Sequence, residues 1–123
     1  MRRALFALSF TLLSAPAVQA QPISWGMAQC SALMGVMAQY VSQQPQKGYL
    51  TDASETLFHA AVSQSQAEGR NPEELTDVKA QKRDAWLEMG FSMAFKQEFR
   101  DWTDYCRSLS RSHNIALHKS MLN

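Results

Sequence analysis

The two cysteines of this chain, Cys30 and Cys106, constrain its fold more than any other feature. Paired cysteines in an exported protein are typical of a disulfide. A Cys30–Cys106 bond would close most of the chain into one loop and stabilise the fold by about 4 kcal/mol. The alternative is a reactive thiolate at Cys106, stabilised by Arg100 and Arg107. It is disfavoured because Cys30 would need another partner, and no C-x-x-C or C-x-x-C-H motif is present.

The N-terminus has the pattern of a secretory signal peptide. Arg2 and Arg3 precede a largely apolar run over 4–13, followed by "SAPAVQA". We predict that residues 1–20 form the signal peptide, with cleavage after Ala20, and that the protein is periplasmic or secreted. The apolar run would span about 15 Å as a helix, half the hydrocarbon core of a bilayer. We therefore expect no transmembrane span after cleavage.

The predicted mature chain, 21–123, has 103 residues, enough for one domain. Its ten Lys and Arg residues oppose eleven Asp and Glu residues, a formal charge of −1. Binding to a phosphate backbone requires a basic excess, which this chain lacks. It also lacks a polybasic segment for anionic lipid. We expect no nucleic-acid partner.

Apolar residues recur at spacings of three and four, which predicts an all-α fold. We expect a small up-down bundle of about four helices within 21–111, stapled by the disulfide. The first helix should cover about 24–43 with Ser24 as N-cap, and Tyr40 should lie on its buried stripe. The second should start at Asp52, whose spacing to Glu55 matches a capping box, and end near Glu68 before Gly69. Asn71 and Pro72 mark the start of the third.

The apolar phase shifts near Gly90, which predicts a break there and a last helix over 91–111. A break at Asp101 is the alternative. In an up-down bundle the start of the first helix lies beside the end of the fourth. The Gly90 break places Cys106 at the level of Cys30 and is therefore preferred. Residues 112–123 are predicted to form a flexible, polar tail, although "NIAL" (114–117) has the composition to dock.

Aromatic residues are concentrated in the second half of the chain, and most are expected to belong to the core. The second helix is instead rich in Ala, Ser and Gln. This asymmetry predicts a possible hydrophobic groove, weakly covered by the second helix, that would suit a partner helix or an apolar ligand. Its candidate residues are Trp86, Phe91, Phe95, Phe99 and Trp102.

The metal and cofactor candidates are few, and we expect no resident metal or cofactor. His113 and His118 are five residues apart, a spacing that does not align two ligands on one helix face. In plan the chain resembles small exported b-type cytochromes, which use a Met near the start of the first helix and a His near the end of the last. The resemblance implies Met27 with His113 or His118. A Cys30–Cys106 crosslink departs from that family's usual pattern. Methionines are also soft ligands for copper, but here they lie on apolar stripes typical of a core.

No catalytic motif is present, so we expect no enzymatic activity. Asp101 and Asp104, beside Arg100 and Arg107, are typical of a solvated helix face. We predict a small exported interaction protein, such as an accessory subunit, a chaperone-like factor or an inhibitor, that acts on another exported or envelope protein. In size and setting it resembles small periplasmic acid-stress chaperones. The alternative is a carrier of haem, copper or an apolar molecule in the bundle core. The oligomeric state stays open.

Overall fold

The computed structural model describes residues 21–122, which contain four α-helices and no strand. The predicted signal peptide lies outside the described residues. The helices are α1 (Ile23–Tyr40), α2 (Gln46–Ala67), α3 (Glu74–Met89) and α4 (Gln97–Ser112), with short 3-10 helices at Gly90–Phe95 and Lys119–Met121. The all-α fold and the Cys30–Cys106 crosslink predicted from the sequence are both confirmed. Within 21–122, no helix combines the length and the apolar character needed to cross a membrane.

The central element is α1, because the other helices pack around it. It makes its most extensive contacts with α2 and α3, and the disulfide ties it to α4. Such a position requires a helix that is apolar or small on most sides, and α1 satisfies this requirement. Its buried residues are Ser24, Gly26, Met27, Ala28, Cys30, Ser31, Ala32, Leu33, Met34, Val36 and Ala38.

Small residues allow α1 and α2 to approach closely. The Ser31 hydroxyl donates to the Ser54 carbonyl at 2.6 Å, and the Ser54 hydroxyl donates to the Ser31 carbonyl at 2.8 Å. Both serines are buried, so these reciprocal bonds satisfy hydroxyls that would otherwise be costly to desolvate. Gly35 lies one turn further, and a Cβ there would be 3.2 Å from the Ser54 hydroxyl. The Ser31–Ser54 pair therefore fixes the register of the two helices.

Two helix starts differ from the predicted ones, each for its own reason. Helix α1 begins at Ile23, and the Ser24 hydroxyl bonds to Glu68 at the end of α2 instead of capping its own helix. Helix α2 begins at Gln46, so Asp52 lies inside it. The first turn of α2 follows Pro45, whose fixed φ suits the start of a helix, and the Gln44 side chain accepts from the Gly48 amide at 3.0 Å. Local capping patterns were overridden by tertiary contacts and by the proline.

The turn between α2 and α3 follows its predicted signals. Gly69 has a φ of +71°, and its amide donates to the Gln66 carbonyl, while the Arg70 amide donates to the Ser65 carbonyl. These two bonds form a Schellman motif, in which glycine adopts the left-handed conformation without strain. The Asn71 side chain then accepts from the Glu73 amide at 3.0 Å, just before α3.

The break at Gly90 is present, and the alternative break at Asp101 is wrong because α4 runs through that residue without interruption. Gly90 has a φ of +64°, which ends α3. The chain does not continue directly as the predicted helix over 91–111. A 3-10 helix occupies Gly90–Phe95, and α4 starts only at Gln97.

The segment after α4 packs against the rest of the domain. Ile115 is buried in the core, and Leu117 and Met121 pack against it. The Ile115 amide donates to the Ser110 carbonyl at 2.9 Å, which turns the chain back after α4. The sequence left open whether "NIAL" would dock, and the structure shows this docking. The packed part of the domain therefore extends beyond residue 111.

Candidate functional site

The two cysteines form a buried crosslink between α1 and α4. Their Cα atoms are 5.6 Å apart, and Cys30 and Cys106 are 0% and 1% exposed. Neither sulfur is a free thiol, so the reactive-thiol alternative is wrong. Arg107 lies beside Asp104, with Nη1 3.0 Å from the carboxylate, and this pair faces solvent. The charges around Cys106 form the outer face of α4.

The five aromatic residues proposed as a groove do not line one groove. Trp86 is a core residue, only 1% exposed, and Phe99 contacts it edge to face at a centroid distance of 6.2 Å. Phe91 and Phe95 are instead 66% and 76% exposed. The face of α2 is not left open either, because Leu57 and Ala61 are fully buried. The two exposed rings belong to the 3-10 helix Gly90–Phe95, whereas the other three aromatic residues belong to α3 and α4.

Lys82 covers the rings of Trp86 and Trp102, two of the aromatic residues that pack within the domain. Lys82 Nζ lies 4.0 Å from the centroid of Trp102 and 5.1 Å from that of Trp86. Burial lowers the pKa of Lys82, and Glu98, 3.8 Å away, partly opposes that shift. Lys82 therefore joins α3 to α4 through cation–π contacts, which gain strength as the ammonium is desolvated. Both Trp86 and Trp102 therefore contact Lys82 inside the domain.

The two exposed phenylalanines, Phe91 and Phe95, lie on the 3-10 helix Gly90–Phe95. Met93, 3% exposed, anchors this helix in the core, while Phe91 and Phe95 flank it at two residues on either side. The Ser92 hydroxyl donates to the Met89 carbonyl at 2.7 Å, and the Lys96 amide donates to the Met93 carbonyl at 3.0 Å. With Met93 in the core, the rings of Phe91 and Phe95 are exposed to solvent.

Tyr40, at the end of α1, completes the exposed group. Its ring meets Phe91 edge to face at 5.9 Å, and Phe91 meets Phe95 at 6.3 Å. Tyr40 is 40% exposed, so the prediction that it lies on the buried stripe of α1 is wrong. We name Tyr40, Phe91 and Phe95 the aromatic patch. No sequence signal indicated this exposure, because the first helix was predicted to continue to about residue 43, whereas α1 ends at Tyr40.

The candidate metal ligands have other surroundings. Met27 is 2% exposed within the core. His113 is exposed and follows α4, while the ring of His118 stacks on Tyr49 at 3.7 Å. The Nδ1 atom of His118 is 2.7 Å from the Ser120 hydroxyl. In the part of the chain that the structure describes, no three His, Cys, Asp or Glu residues are grouped as metal ligands would be.

The N-terminal end of α1 is held by a group of charged and polar residues, which we name the polar clamp. Ser24 donates through its hydroxyl and its amide to Glu68, and Trp25 Nε1 donates to Glu74 at 2.9 Å. Arg70 pairs with Glu74 at 2.8 Å and lies over the Trp25 ring. The clamp thus connects α1 to the turn between α2 and α3.

The polar clamp favours ionised carboxylates. Burial opposes ionisation of Glu68, but hydrogen bonds from Ser24 and Gln64 outweigh it and lower the pKa of this carboxyl. Hydrogen bonds from Arg70 and Trp25 lower the pKa of Glu74. Glu68 also lies at the positive end of the α1 dipole, where a negative charge is stabilised.

Comparisons of the chain with family models, with curated proteins and with solved structures gave no match. Functional assignment therefore rests on the residues themselves. The aromatic patch stands out because Phe91 and Phe95 stay largely exposed although the domain is folded.

Proposed function

We propose that this protein is a small exported interaction protein that docks on another exported or envelope protein through the aromatic patch. The observation that carries the proposal is the exposure of Phe91 and Phe95 on a 3-10 helix that Met93 anchors in the core. Single exposed apolar residues are ordinary, but contiguous apolar patches mark interaction sites. No catalytic group is assigned to the patch, and the proposal includes no enzymatic step.

The energetic argument concerns apolar area that folding leaves in water. Burying one phenylalanine side chain contributes about 1.5–3 kcal/mol. Because Phe91 and Phe95 are 66% and 76% exposed, most of this free energy is available for association. Preorganised aromatic side chains at the centre of an interface are typical of binding hot spots.

The chemistry of the patch specifies the acceptor. The rings protrude, and the residues between them, Ser92, Met93 and Ala94, carry no charge. We expect the partner to present a concave apolar groove, into which both phenyl rings insert, with no charged group at its base. A charge there would be desolvated without a counter-charge, at high cost.

Export is part of the proposal. A disulfide persists in oxidising compartments such as the periplasm or the exterior. The pairing of Cys30 with Cys106 and the signal-like pattern of residues 1–20 both favour this setting. The partner should therefore share that compartment.

Site-specific photocrosslinking in the native envelope tests the proposal. A benzophenone analogue of phenylalanine replaces Phe95 in one variant and Ile23 in the control. Ile23 is 39% exposed and lies at the opposite end of α1 from Tyr40. We expect one discrete adduct from position 95, none of the same mass from position 23, and loss of the adduct when unlabelled wild-type protein competes.

The double variant Phe91→Ser/Phe95→Ser provides the second arm. Both side chains are exposed, so we expect stability to change by no more than about 0.5 kcal/mol per site, while competition for the adduct is lost. Equal adducts from positions 23 and 95, or full competition by the double variant, would contradict the proposal. An adduct at twice the mass of the mature chain would show that the partner is a second copy of this chain and not another protein.

A further inference from the structure

A cavity of about 360 Å³ opens where α1, α2, α4 and the C-terminal segment meet. Its apolar lining is formed by Met34, Met37, Val41, Leu50 and Met121, and Arg107 lies at its edge. We name it the methionine cavity. Its volume falls within the range of small-molecule sites, about 300–1,000 Å³.

We propose that the methionine cavity binds a small molecule with an apolar body and one anionic group. The body would lie among the methionine side chains, and the anion would face Arg107. This site is separate from the aromatic patch and does not depend on the proposed docking function.

The lining suits such a ligand. Methionine side chains are unbranched and polarizable, so they adapt to apolar bodies of different shape. Arg107 uses Nη1 for Asp104, whose side chain is 72% exposed. The guanidinium has five N–H donors, so several are left for a carboxylate or phosphate oxygen. Thr103 and Ser120 also line the cavity, but the Thr103 hydroxyl donates to the Arg100 carbonyl at 2.9 Å, and the Ser120 hydroxyl lies 2.7 Å from His118 Nδ1.

The disulfide sets the width of the methionine cavity. Cys30 is one helical turn before Met34 on α1, and Cys106 directly precedes Arg107 on α4. The crosslink therefore holds the methionine wall and the arginine edge at a fixed separation. Met121, in the last 3-10 helix, closes the side next to the C-terminus.

The charge at the edge decides between two ligand chemistries. Three thioethers are a soft donor set, and a monovalent copper or silver ion is the other occupant that methionines would accept. The positive charge of Arg107 at the same cavity disfavours a cation and favours an anion. The observations therefore favour the amphipathic anion.

The test uses the disulfide-bonded mature chain, 21–123, labelled with ¹³C at the methionine methyl groups. The probes are decanoate and decylamine, which share the apolar body and differ in the sign of the charge. We expect decanoate to shift the signals of Met34, Met37 and Met121, while Met27 and Met93, which do not line the cavity, stay unchanged. Decylamine should bind at least about tenfold more weakly.

Matched variants separate the contributions. Arg107→Gln should weaken decanoate binding about tenfold or more, whereas Asp104→Asn, which frees the guanidinium, should not weaken it. Methionine and leucine are similar in volume, so the triple variant Met34→Leu/Met37→Leu/Met121→Leu should fold and keep decanoate binding.

Three outcomes would overturn the proposal. The first is the absence of methyl shifts with decanoate at millimolar concentration, with circular dichroism showing the folded state. The second is equal binding of decanoate and decylamine. The third is tight binding of silver(I) that the triple leucine variant loses, which would identify a soft-metal site instead.

Discussion

The two ends of α1 differ in what they contact. At the first end, Ser24 and Trp25 enter the polar clamp, and Tyr105 covers Gly26. At the other end, Tyr40 meets the exposed Phe91, and Met37 borders the methionine cavity. The first end is closed by hydrogen bonds and charge, whereas the second leaves apolar surface without a partner inside the domain. The proposed docking patch and ligand cavity thus lie at the end of α1 that is opposite the polar clamp.

The separation between the ends makes this division possible. Ile23 and Tyr40 bound α1, and seventeen steps of 1.5 Å place them about 25 Å apart. Sites more than about 10 Å apart without shared partners affect stability additively. Changes at the two ends should therefore have additive effects on the free energy of unfolding.

The largest expected effect comes from removing the crosslink between α1 and α4. The variant Cys30→Ala/Cys106→Ala opens a loop of 76 residues, which should cost about 4 kcal/mol of unfolding free energy. For a domain of this size that corresponds to a decrease in Tm of about 15–30 °C. Calorimetry of the variant beside the oxidised wild type measures the difference.

Asp104→Ala is the matched control on α4, because this carboxylate is exposed and forms only a surface pair with Arg107. We expect its Tm to stay within a few degrees of the wild type. Equal decreases for the two variants would show that the crosslink does not hold the two ends of α1 in place.

A medium effect is expected at the closed end. Alanine normally stabilises a helix interior by up to about 1 kcal/mol relative to glycine. A Cβ at Gly26 would overlap the Tyr105 hydroxyl, so Gly26→Ala should instead destabilise by about 1–2 kcal/mol.

The sign should reverse in a Tyr105→Ala background, where Gly26→Ala should stabilise the domain because the obstruction is gone. Urea unfolding of the four proteins of this cycle measures both values. The same sign in both backgrounds would mean that Tyr105 does not close this end.

The smallest effect is expected from acid. Since the pKa values of Glu68 and Glu74 are lowered from 4.5, their stabilisation is complete above that pH and is lost as the pH falls below it. The Tm should decrease on acidification, and Glu68→Gln/Glu74→Gln should flatten the decrease.

Thermal scans from pH 6 to pH 3 provide the measurement, with Glu88→Gln, an exposed residue of α3, as control. A dye that fluoresces when bound to the aromatic patch reports on the other end of α1. Unchanged fluorescence between pH 6 and pH 3 would show that this end does not respond to acid. A double variant with the same pH profile as the control would exclude the polar clamp as the acid-sensitive group.

Part of the fold follows from sequence signals that act over a few residues. Gly69 and Gly90 both adopt a positive φ where the sequence placed helix ends. The pairing of Cys30 with Cys106 followed from there being only two cysteines. These features need no knowledge of what packs against them, which is why the sequence was sufficient.

Features that depend on distant partners were not predictable in this way. Serine is a common N-cap residue, but the Ser24 hydroxyl donates to Glu68, 44 residues away. Phe91, Phe95 and Phe99 are spaced by four, as on one helix face, yet a 3-10 helix places only Phe99 against the core. The methionine cavity needs four segments in contact, and no periodicity within one segment indicates it.

The position of α1 in the chain has a consequence for biogenesis. Among the described residues, α1 comes first in chain order, and the segments that cover it follow: α2, α3, then Cys106 and Ile115. An emerging chain therefore exposes the apolar faces of α1 until the segment that contains Ile115 has been made. A chain that stops before residue 119 lacks Ser120 and Met121, which line the methionine cavity.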